Sequence, residues 1–192
     1  MCSLYTRRGD EGYADACTGD RTPKDDAVFD ALGTVDELQC VIGVARCHLR
    51  SAELDPATSG KLQEALESLQ KDLSQSVCVS LLPSLFSTPG KADALCSALK
   101  KATERVEATI DECHTSPLHE FVLPGASGCL AAAQLQVCRA VCRRAERAIV
   151  HLLHGEGQVA VKIPPALRKE VLSFMNRCSD MLFAIALFVD KH

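Results

Sequence analysis

Between Gly60 and Pro83 the apolar residues Leu62, Leu66, Leu69, Leu73, Val77 and Leu81 recur at steps of three and four. That spacing keeps one stripe of a 3.6-residue helix apolar. Pro83 lacks the N–H that a continuing helix needs and closes the stretch. The same period predicts a first helix from about Asp25 to Leu49, with Val28, Leu32, Val35, Leu38, Ile42 and Ala45 inward. Gly33 interrupts it at a cost of about 1 kcal/mol relative to alanine, which suits close packing or a ligand. A third helix fits Lys91 to Cys113 through Leu95, Leu99, Val106 and Ile110. A fourth runs from about Gly128 to Leu153 on Leu135, Cys138, Val141, Cys142, Ala145, Ile149 and Leu152, with Ser127 as its N-cap. The fifth fits Pro165 to Val189 through Leu172, Met175, Leu182, Ala186 and Val189. No segment alternates as a strand would.

The pattern predicts an all-α fold, a single domain over residues 1–192 built as a five-helix bundle (residues 24–190), with irregular segments at 1–23, 83–90, 114–127 and 154–164. A ferritin-like up-down arrangement fits five such helices, without a di-metal site, because no Glu-x-x-His pair occurs. A chain of 192 residues buries roughly 70% of its unfolded surface, enough for one sizeable core. The net charge of -4 excludes a general nucleic-acid binder, so any anion site is local. No apolar run reaches 18 residues and the start lacks a secretory core, so the expectation is a soluble protein, not secreted and with no membrane partner. Eleven cysteines, an odd number scattered through helices, read as free thiols in a reducing compartment. Cys138 and Cys142 sit one turn apart and are expected to pack in the core, and neither His151-His154 nor Cys113-His114 makes a metal site.

The charge pattern is uneven in one place. Arg139, Arg143, Arg144 and Arg147 fall within nine residues of the fourth helix, with Glu146 the only acid among them. Steps of four place Arg139, Arg143 and Arg147 on one slowly turning ridge, where like charges repel by a few tenths of a kcal/mol per pair. Such a ridge suits either a solvated face or an anion. The loop Thr6-Arg7-Arg8-Gly9-Asp10-Glu11-Gly12 favours the anion, since glycines let backbone N–H groups converge into a phosphate nest. Lys24, just after Pro23 at the start of the first helix, adds a cation. In the fifth helix Asn176 and Asp180 lie one turn apart in an apolar pattern, reading equally as an exposed face or a site. The Pro124-Gly125 turn would either plug the bundle end or present Phe121 to a ligand.

The blocks YTRRGDEG, GDRTPKDD, ALGTVDEL, FVLPGASG, CRAVCRRAER and NRCSDMLF run in order from residue 4 to 188. In this order the chain resembles ATP:cob(I)alamin adenosyltransferases of the propanediol-utilisation type. The resemblance implies a homotrimer with active sites between subunits, acting on ATP, with Mg2+, and on cobalamin. It implies an ATP site of Thr6, Arg7, Arg8, Gly9, Lys24, Arg143, Arg144, Glu146, Arg147 and Asn176. Asp36 matches an aspartate that pairs across the interface with the arginine matching Arg139. Phe121 matches the aromatic that displaces the lower ligand of the corrinoid, and Asp180 is assigned to the same side. The implied reaction is transfer of the 5′-deoxyadenosyl group of ATP to cob(I)alamin, releasing triphosphate, with Arg143, Phe121, Asp36 and Arg139 as its central residues. A reductase and an adenosylcobalamin-dependent enzyme would be its partners. The PKDD and RAVCRRAER wording is nearest animal members, which implies the mitochondrial matrix in a eukaryote and the cytoplasm otherwise.

The chain departs from the usual pattern at Arg8 (Thr or Asn), Ala14 (Ser or Thr), Gln136 (His) and Leu187 (Arg), and by two extra residues between Phe121 and Arg139. These departures motivate a rival reading, a non-catalytic trimeric carrier or sensor of ATP or adenosylcobalamin. A helical interaction module whose ridge meets an acidic partner is a third.

Overall fold

In the computed structural model, residues 5–15, 21–82, 88–113, 122–155 and 163–191 are described. Five long helices carry the fold: α1 (Ala27–Leu49), α2 (Pro56–Asp72), α3 (Lys91–Cys113), α4 (Leu130–His154) and α5 (Pro165–Asp190). The starts of α1 and α2 have a local cause. Asp26 Oδ1 accepts the Val28 N–H at 2.9 Å, and Asp55 Oδ1 accepts those of Ala57 and Thr58 at 3.1 and 3.0 Å. Both side chains satisfy donors that a first turn leaves without partners. Helix α2 therefore starts at Pro56, ahead of the expected Gly60, because Asp-Pro supplies a cap and a preset first φ.

Helix α4 lies at the centre, packed along α1 on one side and α5 on the other, while α5 also packs on α3. The α4–α5 and α1–α2 pairs run antiparallel. In α4 and α5, Cys142 meets Met175 and Ser127, just ahead of α4, meets the last residue of α5, Asp190. In α1 and α2, Arg46 meets Gln63 while the Gln39 carbonyl meets Gln70. Val35, Leu38, Ile42, Leu66, Leu69, Leu99, Leu135, Ile149, Phe174 and Leu182 are among the side chains sealed in the shared core. Helix α5 is long and apolar enough to cross a bilayer by composition, yet Val171, Phe174, Met175, Met181, Leu182 and Ile185 are buried inside the bundle. Its hydropathy is that of a core helix.

Three features depart from the sequence expectation. The segment 1–23 is not wholly irregular: β1 (Tyr13–Asp15) and β2 (Arg21–Pro23) pair antiparallel, with Ala14 opposite Thr22. The long second helix is interrupted by a π-helical stretch, Leu73–Cys78, whose wider turn still buries Leu73, Ser76 and Val77. Ser127 is not the N-cap of α4. Gly128 takes φ +80°, Cys129 occupies the cap, and the Ser127 hydroxyl instead accepts the Cys129 N–H at 3.1 Å and donates to Asp190.

Cys113, Cys138, Cys142 and Cys178 are core groups, whereas Cys40 and Cys47 are exposed. All nine cysteines among the described residues are free. Burial pushes Cys138 and Cys142 up to about 12 and Cys113 to about 11, so they stay protonated and unreactive at neutral pH.

Candidate functional site

Helix α4 presents the ridge because its opposite face, Leu135, Cys138, Cys142, Ala145 and Ile149, is sealed in the core. The four arginines then differ in what they touch. Arg144 pairs with Glu37 of α1. Arg139 is half-buried, donating from Nε to Gln136 Oε1 at 2.8 Å, with its guanidinium 5.6 Å from the Phe183 ring centre. Arg143 and Arg147 are exposed and make no hydrogen bond or ion pair among the described residues. Two cations on one face without counter-charge are what an anion would complete.

Glu146 is the acid of the ridge, and it accepts from Asn176 Nδ2 of α5 at 3.4 Å. Asn176 Oδ1 in turn accepts from Arg177, which also holds Asp180 at 3.1 Å. The structure thus joins the ridge to both polar intrusions of α5, through Arg177, a residue the sequence reading did not single out. Asp36 is exposed on α1 and has no hydrogen-bond or ion-pair partner among the described residues. Its charge reaches the π-helical stretch, where burial first and Asp36 second push the Cys78 thiol up.

The amino-terminal loop is folded by its own charges. Arg7 holds the left-handed conformation at φ 60°, with its guanidinium 5.7 Å from the Tyr5 ring centre. The Thr6 hydroxyl accepts the Arg8 N–H at 3.5 Å, a long contact that leaves the oxygen accessible. Arg8 turns to Asp15 of β1 at 3.1 Å, and Arg21 of β2 bonds both Glu11 at 3.0 Å and the Arg8 carbonyl at 2.9 Å. The hairpin thus fixes the loop, with Arg8 spent inside it. Lys24 lies across the loop, donating from Nζ to the Gly9 carbonyl at 2.7 Å. Loop and ridge share no hydrogen bond or ion pair among the described residues of one chain.

Phe121 lies outside the described residues. The turn that follows it, Val122 to Gly125, forms a small cleft with Ala132 and Gln136 of α4 and Ala186, Leu187 and Asp190 of α5. A surface cavity of about 530 Å³ lies at the same end, between His48–Leu54 and Ser127–Ala131, and Asp190 borders both spaces. Neither is lined by the arginines of the ridge, so the anion face and the apolar cleft are separate parts of one molecule. No group of three His, Cys, Asp or Glu able to hold a metal occurs among the described residues.

Comparison with known proteins bears on both parts. The family model for cobalamin adenosyltransferase matches residues 4–189. The corrinoid adenosyltransferase MMAB of Mus musculus is 36% identical over 189 residues, covering 96% of this chain and 71% of the mouse protein. A corrinoid adenosyltransferase of Citrobacter freundii is 36% identical over 186 residues, covering 97% and 94%. Among solved structures, a Phe-to-Ala variant of the PduO-type ATP:corrinoid adenosyltransferase of Lactobacillus reuteri, complexed with cobalamin and ATP, superposes with a TM-score of 0.75. It is 27% identical and covers 98% of this chain and 94% of that one. An Arg-to-Lys variant of that enzyme complexed with ATP gives a TM-score of 0.70, again at 27% identity.

Proposed function

Since the chain belongs to the cobalamin adenosyltransferase family, we propose that its α4 ridge and its amino-terminal loop hold one ATP between adjacent subunits of a homotrimer. The protein is a corrinoid adenosyltransferase, an enzyme that moves the adenosyl group of ATP to cobalamin. The observation that carries the residue assignment is the pair of exposed cations, Arg143 and Arg147, with no hydrogen-bond or ion-pair partner among the described residues, on a helix where Arg144 and Glu146 have theirs.

Cob(I)alamin is the nucleophile, forming a cobalt–carbon bond at C5′ as the C5′–O bond of ATP breaks and triphosphate leaves. The protein supplies position and charge. Arg143 and Arg147 neutralise charge on the departing triphosphate, an effect worth most in a site closed to water. Lys24 exchanges the Gly9 carbonyl for a phosphate oxygen, opening the loop nest beside Arg7. Glu146 and Asn176 fix each other at the nucleoside end. Arg144, held by Glu37, sets the ridge against α1, and Arg8, held by Asp15, braces the loop. Magnesium fits this donor set as an ion that arrives with the nucleotide, bound chiefly by phosphates and water, with the accessible Thr6 hydroxyl as a protein oxygen. Bound there, it would share in neutralising the phosphates.

That loop and ridge share no hydrogen bond or ion pair among the described residues favours a site that a neighbouring subunit completes, as does Asp36, which has no such partner among them and which we pair with Arg139 of a second copy. Phe121 enters the corrinoid's lower face, where it replaces the axial ligand and eases reduction to cob(I)alamin. Asp180 stands near the corrinoid side, steadied by Arg177. The electron comes from a reductase, and the product passes to an adenosylcobalamin-dependent enzyme. Mammalian and bacterial relatives fit a mitochondrial or a cytoplasmic address according to host.

The visible spectrum of cob(II)alamin mixed with the protein and magnesium-ATP tests this reading. A four-coordinate species should form and convert to adenosylcobalamin when a strong reductant is added. Phe121→Ala should abolish the four-coordinate species while sparing ATP binding. A Phe121→Ala variant that still forms the four-coordinate species would remove Phe121 from its role, and a wild-type spectrum unchanged from free cob(II)alamin, with no product, would favour the non-catalytic carrier or sensor.

A further inference from the structure

Gln136 is 7% exposed, the one amide among the buried residues of α4. Buried polar groups need a reason, since an unpaired amide in the core is costly. The fold gives this one a specific task. Its Oε1 takes the Nε–H of Arg139, one turn along the helix, at 2.8 Å. From α5, the Phe183 ring faces the same guanidinium at 5.6 Å. Arg139 is thereby held at its Nε and its π face, and no carboxylate meets it among the described residues. The two terminal nitrogens remain open, forming the planar fork that binds a carboxylate bidentately.

We infer that Gln136 and Phe183 are positioning residues that fix the orientation of Arg139, so that its fork meets a carboxylate of a second copy already aimed. This rests on the reading that Arg139 pairs across the subunit interface. A free arginine would have to give up rotamer freedom when the interface forms, whereas this one has already lost it. Gln136 also borders the cleft beside residue 122. One side chain therefore touches both that cleft and the interface arginine. The amide does the work without titrating, so the fork keeps its direction across the physiological pH range.

The test compares kcat and KM for ATP, and the subunit concentration at which the oligomer dissociates, in a double-mutant cycle. Arg139→Ala should lose at least tenfold in kcat/KM or in assembly. Gln136→Leu, which keeps volume and removes the acceptor, should lose about threefold to tenfold in that same parameter and less than twofold further in the Arg139→Ala background. Phe183→Leu should follow with a smaller loss. Gln136→His provides a readout that packing alone would not move. A neutral imidazole accepts from Nε, but an imidazolium repels it, so the ratio of variant to wild-type activity should fall below about pH 6.5. If Gln136→Leu is as damaging without Arg139 as with it, Gln136 is a packing residue and the inference fails. If Arg139→Ala matters and Gln136→Leu does not, the inference fails and the interface pair stands. If Arg139→Ala itself changes nothing, the pair is wrong and the inference falls with it.

Discussion

Arg46 on α1 and Arg143 on α4 are the same side chain on packed neighbouring helices, and the fold treats them in opposite ways. Arg46 is saturated: its guanidinium donates to Gln63 at 3.2 Å, Gln70 at 2.8 Å and Glu67 at 2.8 Å. Gln63 and Gln70 return bonds to the carbonyls of Arg46 and Gln39, at 2.7 and 2.8 Å. The α1–α2 seam is thus closed by a polar zipper. Arg143 has no such company, although a helix surface offers room for an acid at every third or fourth position. The contrast separates an arginine that holds the fold from one that waits for a ligand. What distinguishes them is the partner, since both sit on amphipathic helices of similar length.

The strongest way to break this comparison is to remove the waiting arginine. Arg143→Ala should lower kcat/KM for ATP about a hundredfold, or ~2.7 kcal/mol of transition-state stabilisation, as expected for one charge-assisted contact to a departing polyphosphate. The melting temperature should hold or rise slightly, because the change relieves repulsion along the ridge. Steady-state kinetics with magnesium-ATP and thermal unfolding of the same preparation check both halves. A loss of stability with kinetics intact would make Arg143 a second Arg46.

Helix positions were legible where apolar residues repeat without interruption. Helix α3 spans Lys91–Cys113 as its leucine and valine spacing predicts, and α1 ends at Leu49 as expected. The hairpin was not legible, because β1 and β2 have three residues each and are held by Arg8–Asp15 and Arg21–Glu11, not by an alternating apolar face. The π-helical stretch was hidden because one widened turn still leaves Leu73, Val77 and Leu81 buried, so the apolar period looks unbroken. The ridge was visible as charge density. Which arginines are committed was not, since Glu37 lies more than a hundred residues from Arg144 in the chain and Gln136 is uncharged. The Asp55-Pro56 start of α2 carried a signal that the apolar pattern overrode.

The opposite test removes the saturated arginine. Arg46→Leu leaves acceptors on Gln63, Gln70 and Glu67 without their donor and should destabilise the protein by about 2 kcal/mol, near 5 °C in melting temperature for a chain of this size. At 25 °C kcat and KM should stay within twofold. A large kinetic change at full folding would mean that the α1–α2 seam also sets the site, through Asp36 and Glu37 on the same helix.

The smallest effect sharpens the contrast through pH. Glu67 is held below the usual carboxylate range by Lys71 first and Arg46 second, so it stays ionised in the folded chain at a pH where the unfolded chain has begun to protonate. A lowered carboxylate contributes stability that is complete above its ordinary range and is lost as pH falls through its folded value. The melting-temperature gap between wild type and Glu67→Gln should therefore be open at neutral pH and close as acid protonates the folded-state carboxylate. Added salt should narrow it, because Glu67 and Lys71 face solvent. The corresponding gap for Arg143→Ala should stay flat over that range, since no carboxylate pairs with it among the described residues. A gap for Arg143→Ala that closed with acid would reveal a carboxylate partner on the ridge and return Arg143 to the structural class.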